Sequence, residues 1–294
     1  MEILQLKYFL ELAKAEHLTK VADKMYVSPS AISSSISRLE NELGVKLFDR
    51  IGRNIKLNAY GKVFLEHAQK CLEEIEDGKL EIRDMMNSKD SSLIIAMTNP
   101  YVWNRRLHGF SLQNPEVSLN SFTFDVISAN SPKPGIDVDL VIASPQSFMD
   151  PLWDYQIIFE DRIAIAVPPQ HHLYDKQSIT FDELKDEWFV NLPNSSFSIY
   201  VESLCEKRGF IPKSHITCDY TVRPQIALNE NLLLLSVFNN KPLSMFSGLK
   251  FIPISDDDAI RTQAIFWRKG RYLTQTAKQF IAFMLDFYKD YKPY

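Results

Sequence analysis

Several classes of function are excluded by what this 294-residue chain lacks. It has three cysteines, Cys71, Cys205 and Cys218, an odd number at wide spacing. That gives neither a disulfide framework nor a zinc motif, and it suits a reducing compartment. No glycine-rich phosphate loop and no G-x-S-x-G elbow occur among its nine glycines. With no convincing carboxylate or Cys/His constellation either, an enzyme is the weaker reading. No window approaches the ~20 apolar residues of a membrane span. MEILQLKYF lacks a basic, then apolar, leader pattern, so a cytoplasmic protein without membrane association is expected. There is no excess of positive charge, since 33 Lys and Arg face 37 Asp and Glu. Any contact with nucleic acid must therefore be local.

The most informative stretch is Ser28 to Leu43, SPSAISSSISRLENEL. Ser28 is a good N-cap, Pro29 suits the first helical position and Gly44 is a natural stop. Ile32, Ile36, Leu39 and Leu43 recur every three or four residues and form one apolar stripe. Opposite stand Ser30, Ser34, Ser37 and Asn41, flanked by Ser33 and Arg38. Serine is a mediocre helix former, so a solvent-only face would more often carry Glu and Lys. Two shorter amphipathic stretches precede it, with Leu6, Phe9, Leu10 and Ala13 in one and Leu18, Val21, Ala22 and Met25 in the other. That order is the helix-turn-helix plan, whose last helix enters the major groove of double-stranded DNA. VKLFDRIGRNIKLN follows as a β-wing, where Lys46, Arg50, Arg53 and Lys56 outnumber Asp49 and seek phosphates.

Residues 1–65 resemble the winged helix-turn-helix of LysR-type transcriptional regulators. The marks are the small-residue run from Ser28 to Ser33, Leu39-Glu40, Leu43-Gly44, Leu47-Phe48 and Arg50. The resemblance implies DNA contacts at Ser28, Pro29, Ser30, Ser33, Ser34, Ser37, Arg38, Arg50 and Arg53. Ser34 and Ser35 stand where the family often has Arg or Gln. Without those long side chains, readout leans on DNA shape and water.

From Asn58 to about Met86 no proline interrupts a 3.5-residue repeat: Phe64, Ala68, Cys71, Ile75, Gly78, Ile82 and Met85. Such a seam predicts a helix on the order of 40 Å long that pairs with its copy. Phe64, Ala68, Cys71, Ile75 and Ile82 are its dimerisation residues. The polar run from Asn87 to Ser92 predicts a hinge.

Beyond Leu93, short apolar runs alternate with amphipathic segments. LIIAM, VSLNSFTF, VDLVIA, YQIIF and RIAIAVP read as strands, and TFDELKD, SIYVESLCEKRG and VRPQIALN as helices. An α/β fold follows. The family resemblance, looser here, implies a multidomain arrangement: a DNA-binding domain over 1–58, a linker helix and hinge over 59–90, and a two-lobed domain over 91–294 similar to periplasmic binding proteins. Lobe one would hold 91–162 and 267–294, completed by a last helix from Leu273 to Tyr288, and lobe two 163–266. SANSPKPG before IDVDLVIA replaces a family helix, so a loop is expected there. Asn229 and Asn231 stand where glycines bracket a turn, and Asn tolerates left-handed geometry best after Gly.

In such folds, ligands bind beyond the carboxyl ends of strands. That rule selects Thr98, Asn99, Ser128, Ser144, Asn194, Ser195, Ser196 and Thr221 for an unknown small-molecule effector, with Arg105, Arg106 and Arg223 available for charge. Trp103, Trp153, Trp188 and Phe197 fit a core or lobe interface better than an aromatic pocket. His171-His172, after two prolines, reads as a surface turn, and neither metal nor cofactor is expected. The expected protein is a homodimeric or homotetrameric regulator whose cleft ligand shifts the pose of its DNA-binding modules. The alternative is a DNA-binding regulator whose second half serves oligomerisation alone.

Overall fold

A computed structural model describes the chain except residues 52–53, 87–90, 99, 124–137, 194, 239–242 and 291–294. It comprises two compact units, Met1–Asn87 and Ser88–Tyr294.

The first unit opens with three helices, α1 (Ile3–Ala15), α2 (Leu18–Met25) and α3 (Pro29–Leu43), then a hairpin of β1 (Phe48–Ile51) and β2 (Asn54–Leu57), then α4 (Ala59–Met85). The hairpin is antiparallel, with Phe48 opposite Leu57 and Ile51 opposite Asn54. Phe9 is fully buried and centres the core; its ring meets those of Phe48 at 5.6 Å and Phe64 at 5.1 Å, both edge-on. Asn58 caps α4, its Oδ1 accepting the Gly61 N–H at 2.9 Å. Gly61 admits no side chain, because a Cβ there would lie 2.2 Å from the Leu47 carbonyl oxygen.

The second unit is two-lobed. In lobe one, β3 (Ser92–Met97) lies between β4 (Ser118–Thr123) and β5 (Leu140–Ala143), all parallel. The sheet continues antiparallel through β11 (Ile260–Arg268) to the first part of β6 (Trp153–Val167). Alternation sends Leu93, Ile95 and Met97 to one face and Ala96 to the other. The first face is covered by α5 (Pro100–Gln113) and α8 (Gln275–Tyr288), through Trp103, Phe110, Phe280 and Met284.

At Arg162/Ile163, β6 changes partners. Residues up to Arg162 pair with β11, and Ile163 onward pairs with β9 (Leu234–Val237) and β10 (Lys250–Pro253). In lobe two, β7 (Trp188–Asn191) runs parallel to β8 (Lys213–Thr217) and bridges in parallel to Leu233, just before β9. The helices α6 (Ser196–Glu206) and α7 (Arg223–Glu230) complete it.

Four expectations change. YQIIF and RIAIAVP are one 15-residue strand, not two. TFDELKD is only a 3-10 turn over Asp182–Leu184, pinned by buried Phe181 and Leu184. α5 had no counterpart among the expected helices. The return to lobe one, placed at 266/267, falls inside β11, all nine residues of which pair with β6. Most of the 87–92 hinge and all of SANSPKPG lie outside the described residues.

Candidate nucleic-acid interface and effector cleft

α3 forms as its sequence dictates. The Ser28 hydroxyl accepts the Ala31 N–H at 3.2 Å, Pro29 opens the first turn, and Gly44 ends the helix at φ 72°. Ile32, Ile36 and Leu39 are buried, while Ser28, Pro29, Ser30, Ser34, Arg38 and Asn41 are exposed. Ser33 and Ser37 are half-buried and line a cavity of about 260 Å³ with Leu12, Leu18, Phe48 and Ile55. Ser35 is buried. Tyr26, which sequence reasoning passed over, ends α2 in left-handed geometry (φ 55°) and is 95% exposed. Its signal was an aromatic residue in the turn ahead of the third helix. In the wing, Lys56 is exposed, Arg50 lies on β1, and the Arg50 side chain and Arg53 lie outside the described residues.

The linker seam divides. Phe64 and Ala68 belong to the core of their own unit, together with Leu65 and Leu72. Cys71, Ile82 and Met85 are exposed and Ile75 half-buried. The repeat is real, but its first two residues serve intrachain packing because α1 reaches that far along α4.

In the second unit, the carboxyl ends of the parallel strands converge on the lobe crossover. β9 runs antiparallel to β6, so Val237 lies opposite Ile163 at the partner change, and β7 shares its direction. In lobe one, β5 pairs Ala143 with Ala264, on the side where β11 starts. A part-buried ion pair, Arg261 Nη2 to Asp161 Oδ2 at 2.8 Å, ties the strands at the crossing, and the Tyr200 hydroxyl donates to the Ile260 carbonyl at 2.8 Å. Neither pairing was read from the sequence.

Of the residues selected for an effector, Asn99, Ser128 and Asn194 lie outside the described residues. Thr98 is half-buried, its N–H donating to Ile142 at 3.3 Å. Ser144 is buried and bonded to Gln146, which donates to the Thr262 hydroxyl at 3.1 Å. Ser195 caps α6 by accepting the Ser198 N–H at 3.3 Å. Ser196 is half-buried and Thr221 exposed.

The arginines differ sharply. Arg105 is exposed, and Arg106 stacks over Phe287, 4.3 Å from its centroid. Arg223 is buried at the first position of α7. Trp103 and Trp153 are core, as expected, while Trp188 is 46% exposed and Phe197 lies under Arg261 at 4.9 Å. Burial pushes the Cys205 thiol up to about 12 and Cys218 in the same direction, which opposes thiolate chemistry.

His171 is not the surface residue expected. It is buried, with Glu187 3.4 Å away, and that carboxylate also meets exposed His172 at 2.8 Å. The three ligand atoms lie within 4.8 Å of one another. The Leu173 N–H donates to His171 Nδ1 at 3.3 Å, so Nε2 is the ring nitrogen that faces Glu187.

Comparison with known proteins matches both units. Residues 3–62 fit the family described as "Bacterial regulatory helix-turn-helix protein, lysR family", and residues 92–289 fit the "LysR substrate binding domain". The chain belongs to the LysR family. Among LysR-type relatives, it is 28% identical over 297 residues to the uncharacterized HTH-type transcriptional regulator YybE of Bacillus subtilis, covering 99% of this chain and 100% of that one. It is also 28% identical over 305 residues to the transcriptional dual regulator GltC of the same organism, covering 100% of both chains. Full-length OxyR from Pseudomonas aeruginosa has the same fold, with TM-score 0.63, 21% identity and coverage of 100% of this chain and 99% of that one. CbnR, solved in complex with its target DNA, shares the fold at TM-score 0.53 and 20% identity, over 97% of this chain and 98% of that one. As a LysR-type protein, the chain is a DNA-binding transcriptional regulator carrying an effector-binding domain. Among the described residues, no helix is long and apolar enough to cross a membrane.

Proposed function

We propose that α3 reads operator DNA through Ser28, Pro29, Ser30, Ser34 and Arg38, with Ser33 and Ser37 at its edge. The wing residues Arg50 and Arg53 hold phosphates. The observation carrying this reading is the exposed leading end of α3, which is small, polar and uncharged beside a core complete without it. The protein works in the cytoplasm, catalyses no reaction, and pairs as a homodimer or homotetramer through Cys71, Ile75 and Ile82 of α4. A small molecule at the lobe crossover, near Thr98, Ser144, Ser195, Ser196 and Thr221, favours one pose of the paired DNA-binding units over another. Asn99, Ser128 and Asn194 belong to the same set by their sequence positions. The 1–58, 59–90 and 91–294 division follows these roles.

The test is selection of genomic fragments by the purified protein at moderate salt, with and without a small-metabolite extract. Enriched fragments sharing a palindrome, with enrichment altered by the extract, support the whole reading. Identical enrichment in both conditions supports a regulator without an effector. Binding without enrichment sinks sequence-specific recognition by α3.

A further inference from the structure

Lobe two gathers two imidazoles on one carboxylate. His171 Nε2 stands 3.4 Å from Glu187 Oε2, and His172 Nε2 stands 2.8 Å from the other carboxylate oxygen. The two rings stack with centroids 4.6 Å apart and planes 27° from parallel, so both Nε2 atoms reach the same group. A charge pair with Glu187 needs only one of these rings. Backbone bonds fix the turns that carry them. The His171 N–H donates to the Pro168 carbonyl at 3.1 Å, the Tyr174 N–H to the His171 carbonyl at 2.9 Å, and the Glu187 N–H to the Leu184 carbonyl at 3.2 Å. Leu173 and Leu184 anchor both turns in the core of lobe two.

The cluster lies away from the lobe crossover. β6 enters lobe two at Ile163 and ends at Val167, and His171 follows that end. β7 starts at Trp188, directly after Glu187, and runs with β9 toward the crossover. Both histidines and the carboxylate therefore stand at the opposite end of the lobe. Their donor chemistry selects the ion. Imidazole with carboxylate suits zinc and its first-row neighbours, whereas calcium and magnesium take oxygen ligands. Around a zinc with bonds of about 2.1 Å, tetrahedral ligands stand about 3.4 Å apart. The separations of 3.4 and 2.8 Å are within a small side-chain adjustment of that spacing. The His172 ring is 69% exposed, which gives an ion a route in and leaves further coordination positions to water.

We propose that His171, His172 and Glu187 form a binding site for a divalent ion of the zinc class, held through both Nε2 atoms and the carboxylate. The site is independent of the effector reading above. Its ion joins the turn after β6 to the start of β7. Coordination through Nε2 needs the His171 ring proton on Nδ1, so the Leu173 N–H bond at 3.3 Å is given up. That loss holds affinity about tenfold below that of a site whose ring nitrogens are already set.

The experiment uses the full-length protein, stripped with EDTA and returned to a non-chelating buffer. Calorimetric titration and thermal unfolding are run with Zn²⁺, Co²⁺, Mg²⁺ and Ca²⁺, and Co²⁺ binding is also followed by visible absorption. Zn²⁺ and Co²⁺ each bind at one equivalent per chain and raise Tm by roughly 3 °C near saturation, while Mg²⁺ and Ca²⁺ do neither. The Co²⁺ spectrum shows ligand-field bands without a thiolate-to-metal charge-transfer band, which separates this site from the exposed Cys71 thiol. His172→Ala and Glu187→Gln each weaken binding by about tenfold or more. Because the His172 ring is exposed, H172A decides the matter if E187Q does not fold. No binding of Zn²⁺ or Co²⁺, an equal response to Mg²⁺ or Ca²⁺, a thiolate band, or unchanged affinity in either folded variant overturns the proposal.

Discussion

Glu40 on α3 accepts the backbone N–H of Leu47 through Oε1 at 2.9 Å. The same oxygen takes the Phe48 N–H at 3.4 Å, and Oε2 meets Lys46 Nζ at 2.7 Å. One buried carboxylate thus joins the third helix to the first strand of the wing. Glu40→Ala leaves two buried N–H groups without an acceptor and is expected to cost about 2–4 kcal/mol. Glu40→Gln keeps a carbonyl oxygen there and costs under about 1 kcal/mol, since Lys46 is exposed. Denaturant unfolding of the two variants checks this; equal losses would show that the carboxylate's charge, not its acceptor role, matters.

The linker helix separates packing from pairing along one repeat. Phe64 meets Phe9 in the core of its own unit, so Phe64→Ala destabilises that unit by roughly 3 kcal/mol. Ile75 and Ile82 lie beyond that core, and Ile82 is 59% exposed. Ile75→Asp is expected to leave the unit folded and dissociate the oligomer. Sedimentation velocity with circular dichroism distinguishes the two. Dimers persisting in I75D would remove α4 from the interface.

This division explains what was legible beforehand. A helix period shows in sequence because burial repeats every three or four residues, so α3 and α4 could be read with their caps. Which neighbour covers the stripe depends on the tertiary reach of α1, and periodicity carries no record of it. Likewise, Glu160-Asp161, just before Arg162, looked like a break between two strands. It is the point where β6 leaves one sheet for another, with Asp161 matched to Arg261 one hundred residues away. The candidate cleft residues followed from strand ends alone, whereas the burial of Arg223 against the Val190 and Leu235 carbonyls needed the packing of β7 and β9 around it.

Asn231 ends α7 at φ 55° and ψ 42°, its N–H donating to the Ala227 carbonyl, so the turn survives without the expected glycine. Side chains in this region cost roughly 1–2 kcal/mol, least for Asn. Asn231→Gly is expected to leave Tm unchanged or slightly raised, and Asn231→Val to lower stability by about 1–2 kcal/mol. Thermal unfolding of both variants is the measurement, and an unaffected Val variant would show the turn relaxing out of left-handed geometry.

His171 gives the second unit a pH dependence whose sign is set by burial. Desolvation holds its pKa below the ordinary 6.5, with Glu187 acting upward and His172 downward. The folded form therefore binds fewer protons than the unfolded chain once pH drops below about 6.5. Stability is full above that value and declines as pH falls toward the folded pKa, as the buried ring resists charging. Between pH 7 and 5 the wild type should lose Tm more steeply than His171→Gln, which has no ring to protonate. Glu187→Gln removes the charge that helps the imidazolium, so it should extend the decline to lower pH. If wild type and H171Q give superimposable Tm profiles over this range, the acid sensitivity lies elsewhere in the unit.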